Sequence, residues 1–259
     1  MVLAMASGYG CGGLLVVYQP NSAIPVVRER FGGIEVVRLN RPDKRNALDS
    51  ACLALLVDTL EELAADDDLR VVVLSTTHVR AFCAGADVAE VLDRDGGLAR
   101  MAAFTRVYAL IEQFPVPTIA VCVGNCVGAG AEIAAGCDLR CGGDNLGLSW
   151  AGARLGIPVG PARLVPLVGL SRAKDLVLTG RVLDMMQAQE YGLLQRTAAA
   201  EDAEAAALEL AGDVAAQSAA GIRAVKQMFR DLESTQQRVS YENGLLMDFQ
   251  RRGSGLPAG

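Results

Sequence analysis

Two stretches of small residues carry the groups best suited to chemistry, Ala81-Phe82-Cys83-Ala84-Gly85-Ala86-Asp87 and Gly124-Asn125-Cys126-Val127-Gly128-Ala129-Gly130-Ala131-Glu132. Each follows a run rich in β-branched residues, Val71 to Leu74 and Ile119 to Val123, and each is expected to lead into a helix. At a helix start the backbone N–H groups lack intrahelical partners and point at whatever lies beyond. Two such turns facing one another would hold one oxyanion. Glu132, three residues after Ala129, faces the same way on the first helical turn. A carboxyl there is placed for acid/base work on a carbon beside the oxyanion. The competing readings are a glycine-rich bend packed against a strand and a helix-start carboxylate favoured by the dipole.

The surrounding chain supplies elements that can fix these turns. Ile24 to Asn40 alternates around Gly32-Gly33 and predicts a hairpin, because glycine provides the positive φ of a tight turn. Asp49 or Ser50 can cap a helix running to about Ala65, with Leu53, Leu56, Leu60 and Leu63 at helical spacing. Arg70 to Ser75 reads as a buried strand, Gly97 to Glu112 as a helix and Thr118 to Val123 as the next strand. Strands alternating with helices predict an α/β structure with a largely parallel sheet. From Pro161 the strand signal fades, and Ala173 to Leu178, Met185 to Gly192, Glu201 to Ser218 and Ile222 to Phe249 read as helices. The last of these are amphipathic, suited to packing on the body or on a neighbouring subunit.

Composition narrows the function classes. The chain has 259 residues, 51% hydrophobic but only 5% aromatic, enough for one large core of Ala, Val and Leu. A formal charge of -6 argues against a nucleic-acid surface, so an anionic ligand must be met locally, for example by Arg41, Lys44 or Arg45. Seven scattered cysteines (Cys11, Cys52, Cys83, Cys122, Cys126, Cys137 and Cys141) contain no Cys-x-x-Cys pair and suggest reduced thiols in the cytoplasm. The single histidine, His78, offers no metal set. The uncharged stretch Met1 to Val27 has no basic leader segment and reads as a tail. Phe114 to Ala131 is interrupted by Pro115, Pro117, Asn125 and glycines, so strand, turn and helix explain it better than a membrane span.

The string Leu39-Asn40-Arg41-Pro42-Asp43-Lys44-Arg45-Asn46-Ala47-Leu48 is the most specific local pattern. Taken with Ala81 to Val88, Gly124 to Ile133, and Leu178-Thr179-Gly180-Arg181 before Tyr191-Gly192-Leu193-Leu194, it resembles the crotonase family, also called the enoyl-CoA hydratase/isomerase family. The resemblance covers about Val26 to Phe249 and keeps the motifs in order. It implies a spiral of ββα units over residues 26–195, preceded by a tail (1–25) and followed by a C-terminal helical trimerisation region (196–259). It further implies a homotrimer or homohexamer, an acyl-CoA thioester as substrate, no membrane or nucleic-acid partner, and no cofactor beyond the coenzyme A of the substrate. Carried over by motif, the Ala86 and Ala129 N–H groups form the oxyanion hole and Glu132 is a catalytic acid/base. The Ala84 carbonyl meets the adenine amino group, Lys44 and Arg45 approach the phosphates, and Ala47, Gly85, Asp87, Gly128, Trp150 and Gly152 complete the substrate site. Two fixed donors in a dry pocket each contribute about 3 kcal/mol to an oxyanionic transition state.

Two positions depart from the family pattern. Ala129 stands where many relatives carry glycine, although its N–H survives that change. The second hydratase glutamate falls on Gly152, within Leu148-Ser149-Trp150-Ala151-Gly152-Ala153-Arg154-Leu155-Gly156. With a single glutamate, a one-base proton shuttle such as double-bond isomerisation is easier to write than hydration. Decarboxylation, thioester hydrolysis and non-catalytic acyl-CoA binding stay open. Asp87 is expected to cap the next helix, and Arg154 either to meet a polar acyl group or to form a surface salt bridge. The end, Gln250 to Gly259, lacks the segment that covers CoA in many relatives, so a thinner cover is expected.

Overall fold

The computed structural model describes residues 24–253; the expected tail before residue 24, with Cys11, and the last residues from 254 lie outside the described residues. The Gly32-Gly33 pair closes the expected hairpin, joining β1 (Val26–Phe31) to antiparallel β2 (Ile34–Leu39), with Phe31 opposite Ile34 and Gly32 at φ +58°. From β2 onward the main sheet is parallel, through β3 (Val71–Thr76), β5 (Thr118–Cys122), β7 (Leu139–Gly143) and β9 (Arg196–Ala198). Its order is β1-β2-β3-β5-β7-β9.

The pleat sends alternate residues to two cores, as a parallel sheet covered on both faces requires. Val36, Val71, Val73, Ile119 and Val121 meet α6 (Ala203–Ala215), whose Ala203, Ala207 and Ala211 allow close approach. Val37, Val72, Leu74, Ala120 and Cys122 face α1 (Ser50–Ala64) and α2 (Arg94–Glu112). In α1 the buried residues include Leu53, Leu56, Leu60 and Leu63, and Asp49 caps the helix by accepting from the Cys52 N–H at 2.8 Å.

A second parallel sheet consists of β4 (Ala81–Cys83), β6 (Asn125–Val127) and β8 (Gly147–Ser149). Each of its strands directly follows a strand of the main sheet. The pairs β3β4, β5β6 and β7β8 then run on to α2, α3 (Ala129–Gly136) and α4 (Pro161–Thr179), which makes the repeated ββα unit. Strands of three residues are too short to show a period, so β4, β6, β8 and β9 have no sequence signal of their own.

The later chain corrects three expectations. The helix expected over Ala173 to Leu178 begins already at Pro161 and breaks at Gly169, where φ is +77°. Strand β9 follows α5 (Met185–Glu190) and pairs with β7, so the main sheet takes a strand from beyond residue 195. The single helix expected over Ile222 to Phe249 is two, α7 (Ala219–Leu232) and α8 (Thr235–Arg252), separated at Ser234 with φ +50°. Helix α8 packs along α2. Among the described residues no helix is long and apolar enough to cross a membrane.

Candidate active site

Because β4, β6 and β8 are parallel, the chain leaves all three at one edge, after Cys83, Val127 and Ser149. That carboxyl edge is where α/β architectures collect ligands. Here the segments that follow, with Ala84, Gly85, Ala86, Gly128, Ala129 and Gly152, line a cavity of about 230 Å³. Val88, Met101, Phe104, Tyr108, Leu155, Ile157, Val159 and Leu246 complete its wall, which apart from Tyr108 is apolar in side chain.

Leu48 explains how the first turn presents an N–H. Its own N–H donates to the Gly85 carbonyl at 2.8 Å, and its carbonyl accepts the Asp87 N–H at 2.9 Å. In such a one-residue parallel bridge the groups of the intervening residue, Ala86, point to the opposite side. No helix begins at Ala86 itself; the helix expected to follow this turn from about Gly97 is α2, which starts at Arg94. Asp87 does not cap that helix: it pairs with Arg41 at 3.0 Å and accepts the Ala89 N–H at 3.1 Å. Asp93 is the cap of α2, accepting from the Gly96 N–H at 2.7 Å.

The second turn follows the expectation. Ala129 is the first residue of α3, so its N–H belongs to the set without intrahelical acceptors. The turns touch: a Cβ on Gly85 (φ +104°) would lie 3.3 Å from the Val127 carbonyl oxygen and 3.8 Å from the Ala129 nitrogen. Positive φ falls on Gly85 and Gly128, and Ala129 is helical, so the alanine costs no backbone strain. Arg140 holds the far end of α3, donating to the Ala134 and Cys137 carbonyls at 3.1 and 2.7 Å.

The Asn-Arg-Pro string works from behind these turns. Buried Asn46 donates to Thr76 Oγ1 (2.7 Å) and to the Ala81 and Phe82 carbonyls (2.9 and 3.0 Å), and accepts the Arg41 N–H at 2.7 Å. The Ala84 N–H in turn donates to the Arg45 carbonyl at 3.0 Å. Lys44 and Arg45 themselves are exposed, Ala47 is half-buried, and none of the three lines the cavity.

Glu132 sits one turn along α3 from Ala129, 1% exposed, next to the cavity-lining Ala129 turn but not itself among the lining residues. Its Oε2 accepts from Arg163 Nη1 at 3.2 Å, and its Oε1 has no hydrogen-bond partner among the described residues. Arg163, equally buried, also pairs with Glu112 through Nε (3.0 Å) and with Glu242 through Nη1 (2.5 Å), and stacks its guanidinium 4.3 Å from the Tyr108 ring centre. One cation thus faces three carboxyls. Burial pushes Glu132 up to about 8, with Arg163 opposing the shift and Glu242 and Glu112 adding to it. Burial likewise pushes Glu112 up to about 7, against the pull of Arg163 and Arg238.

Trp150 is buried immediately after β8 but lies outside the cavity lining. At Gly152 a Cβ would come 2.6 Å from Val159 Cγ1 and 3.0 Å from the Ile157 carbonyl, so a larger side chain has no room there. Arg154 donates to the Gly180 carbonyl at the left-handed C-cap of α4; it does not line the cavity and forms no salt bridge among the described residues. Arg163, Glu112, Glu242 and Tyr108 were not singled out from the sequence. One signal existed: Arg163 is the single charge between Arg154 and Arg172 in an otherwise apolar run.

The same architecture recurs in known proteins. A family profile described as Enoyl-CoA hydratase/isomerase matches residues 29–253. The putative enoyl-CoA hydratase/isomerase YngF of Bacillus subtilis is 36% identical over 196 residues, covering 74% of this chain and 75% of that protein. The 2,3-dehydroadipyl-CoA hydratase of Escherichia coli is 34% identical over 218 residues, 83% of this chain and 84% of that one. Among solved structures, a monofunctional enoyl CoA isomerase from M. smegmatis superimposes with a TM-score of 0.68 at 26% identity, covering 82% of this chain and 94% of its own. A protein from Bordetella parapertussis, described as a putative enoyl-CoA hydratase/isomerase, shares the fold at a TM-score of 0.80 and 23% identity, over 89% and 94% of the two chains.

Proposed function

Since the chain belongs to the enoyl-CoA hydratase/isomerase family, we propose that it acts on an acyl-CoA thioester whose enolate is held between the Ala86 and Ala129 N–H groups, with Glu132 moving the proton. The observation that supports this reading is the contact of the two turns, with Ala86 and Ala129 both lining one apolar cavity. A thioester carbonyl accepting both bonds becomes electron-poor, and its α-proton correspondingly acidic. In isomerisation the Glu132 carboxylate takes that proton, leaving the enolate oxygen against the two N–H groups. It then returns the proton to the γ-carbon, which moves the double bond into conjugation. In hydration a water adds across the conjugated bond through the same enolate. The apolar wall suits a hydrocarbon acyl chain. In this reading exposed Lys44 and Arg45 meet the phosphates of coenzyme A through charge-assisted bonds.

The exposed apolar row Val225, Met228, Phe229 and Leu232 on α7 follows helical spacing and supports a further copy of this chain covering it, as in a trimer or a pair of trimers.

The test is turnover of crotonyl-CoA and of a 3-enoyl-CoA by the protein and by Glu132→Gln. Removing an acid/base group is expected to lower turnover about 100-fold or more while CoA-ester binding persists. Tight acyl-CoA binding with no turnover of either substrate would instead favour a non-catalytic binder.

A further inference from the structure

Of the residues that line the acyl cavity, Tyr108 is the one with a hydrogen-bonding side chain. It stands on the same face of α2 as Met101 and Phe104, which also line the cavity. Tyr108 is 5% exposed, and its hydroxyl makes no hydrogen bond with any described residue. A buried tyrosine usually finds a partner for that group; Tyr191 Oη, by contrast, accepts from Arg181 Nη2 at 2.7 Å. Nor does Tyr108 Oη belong with the partnerless polar atoms sealed inside the fold, such as Trp150 Nε1 and Glu132 Oε1. The phenol oxygen therefore keeps open surface, and the acyl cavity is the space its side chain lines. The ring is held on both sides. Arg163 stacks its guanidinium 4.3 Å from the ring centre, and the Phe104 ring lies 6.2 Å away, tilted by 31°. Arg163 is itself fixed by Glu112, Glu132 and Glu242. Burial, reinforced by Glu132 and opposed by Arg163, pushes the phenol well above its ordinary value, so it stays protonated and donates.

We infer that Tyr108 is a specificity-determining residue, and that the acyl chain this site prefers carries a neutral oxygen, a keto or hydroxyl group beyond the thioester, which accepts a hydrogen bond from the Tyr108 hydroxyl. This rests on the acyl-CoA reading above and narrows it from a plain hydrocarbon chain to an oxygenated one. A hydrocarbon filling the cavity shuts the hydroxyl off from water and leaves it unsatisfied, whereas an oxygen on the chain takes the place of that water. Sites built around such a donor discriminate chiefly by rejecting the analogue that lacks the oxygen. A carboxylate tail does not suit the same position. No lysine, arginine or histidine lines the cavity, and the one guanidinium behind the ring already faces three carboxyls. An anion there would be buried without a counter-charge.

The experiment is calorimetric titration of the whole protein and of Tyr108→Phe with saturated thioesters, which bind without reacting: hexanoyl-CoA, its 4-oxo, 5-oxo and 5-hydroxy derivatives, and adipyl-CoA. The best of the three oxygenated thioesters should bind the wild-type protein about tenfold more tightly than hexanoyl-CoA, the effect of one hydrogen bond gained and one unsatisfied donor avoided, and adipyl-CoA should bind no more tightly than hexanoyl-CoA. In Tyr108→Phe that preference should vanish while hexanoyl-CoA binds as well or better. Because the hydroxyl has no partner in the protein, the urea midpoint of Tyr108→Phe should match the wild type. The inference is overturned if the wild-type protein prefers none of the oxygenated thioesters, if it prefers adipyl-CoA to all of them, or if the preference survives in Tyr108→Phe. A clear fall in the urea midpoint of the variant also overturns it, since the hydroxyl would then be bonded within the protein. Binding without preference overturns this inference alone, whereas binding of none of the thioesters overturns the acyl-CoA reading and the inference with it.

Discussion

At the residue scale, if Glu132 is the acid/base proposed above, its charge state decides which step the site can begin. Burial pushes its carboxyl up to about 8, with Glu242 and Glu112 adding to the shift and Arg163 opposing it. At neutral pH the protonated form is therefore favoured. Both isomerisation and hydration start with the minority carboxylate form accepting a proton, so kcat/KM should rise about tenfold per pH unit below 8 and level off above. A profile that instead falls above 8 would mean the protonated carboxyl acts first, as in protonating an enolate after decarboxylation. Gly152 gives a second prediction at this scale. The glutamate that the family pattern leads one to expect there cannot be introduced by one substitution, because the new Cβ would meet Val159 Cγ1 at 2.6 Å. Gly152→Glu alone should destabilise the protein by about 1–3 kcal/mol, the usual cost of overpacking, and Val159→Ala added to it should recover much of the loss in a urea titration. Failure of the second substitution to rescue the first would show that the clash is not with Val159.

At the element scale, what the sequence makes legible is whatever local chemistry determines. The hairpin is readable from Gly32-Gly33, α1 from its leucine spacing and Asp49 cap, and the second turn from the helix it starts. The first turn is not. Its donor is exposed by Leu48, a residue some forty positions upstream whose bridge to Ala86 has no sequence period. The Glu132 surroundings are hidden for the same reason, since Arg163, Glu112 and Glu242 arrive from α4, α2 and α8. The break at Ser234 lacks the glycine or proline that marks a helix end. Contact between elements also carries a prediction. Helix α3 lies so near the end of β4 that a Cβ on Gly130 would sit 2.2 Å from the Cys83 carbonyl oxygen. Gly130→Ala must push α3 from β4 and thereby part the Ala129 and Ala86 N–H groups. Loss of one oxyanion donor costs about 100-fold or more in kcat, so activity at a temperature where the variant stays folded by circular dichroism should drop by at least that much. Near-normal turnover in the folded variant would separate the α3 start from the oxyanion role.

At the scale of the whole molecule, the α7 face and the buried carboxyl cluster both make the fold depend on conditions. If further copies cover Val225, Met228, Phe229 and Leu232, then Phe229→Glu with Leu232→Glu should shift the sedimentation coefficient to that of a monomer, and an unchanged value would place the interface elsewhere. The cluster acts through proton linkage. Glu112 and Glu132 are raised to about 7 and about 8 from an ordinary value of 4.5, so between those limits the folded chain keeps protons that the unfolded chain releases. Their contribution is fully present below pH 4.5 and is lost as pH rises through 7 and then 8. Each group can remove about 1.4 kcal/mol of stability per pH unit inside its window. The urea midpoint should therefore fall from pH 5 toward pH 8, opposite to a protein whose carboxyls are stabilised as anions. Glu112→Gln, a neutral mimic of the protonated acid, should flatten the curve up to about 7, and Glu132→Gln should flatten it up to about 8. A midpoint that stays level or rises over this range in the wild-type protein would mean that Glu112 and Glu132 are charged in the folded protein, and that the guanidinium groups of Arg163 and Arg238, not protonation, keep them buried.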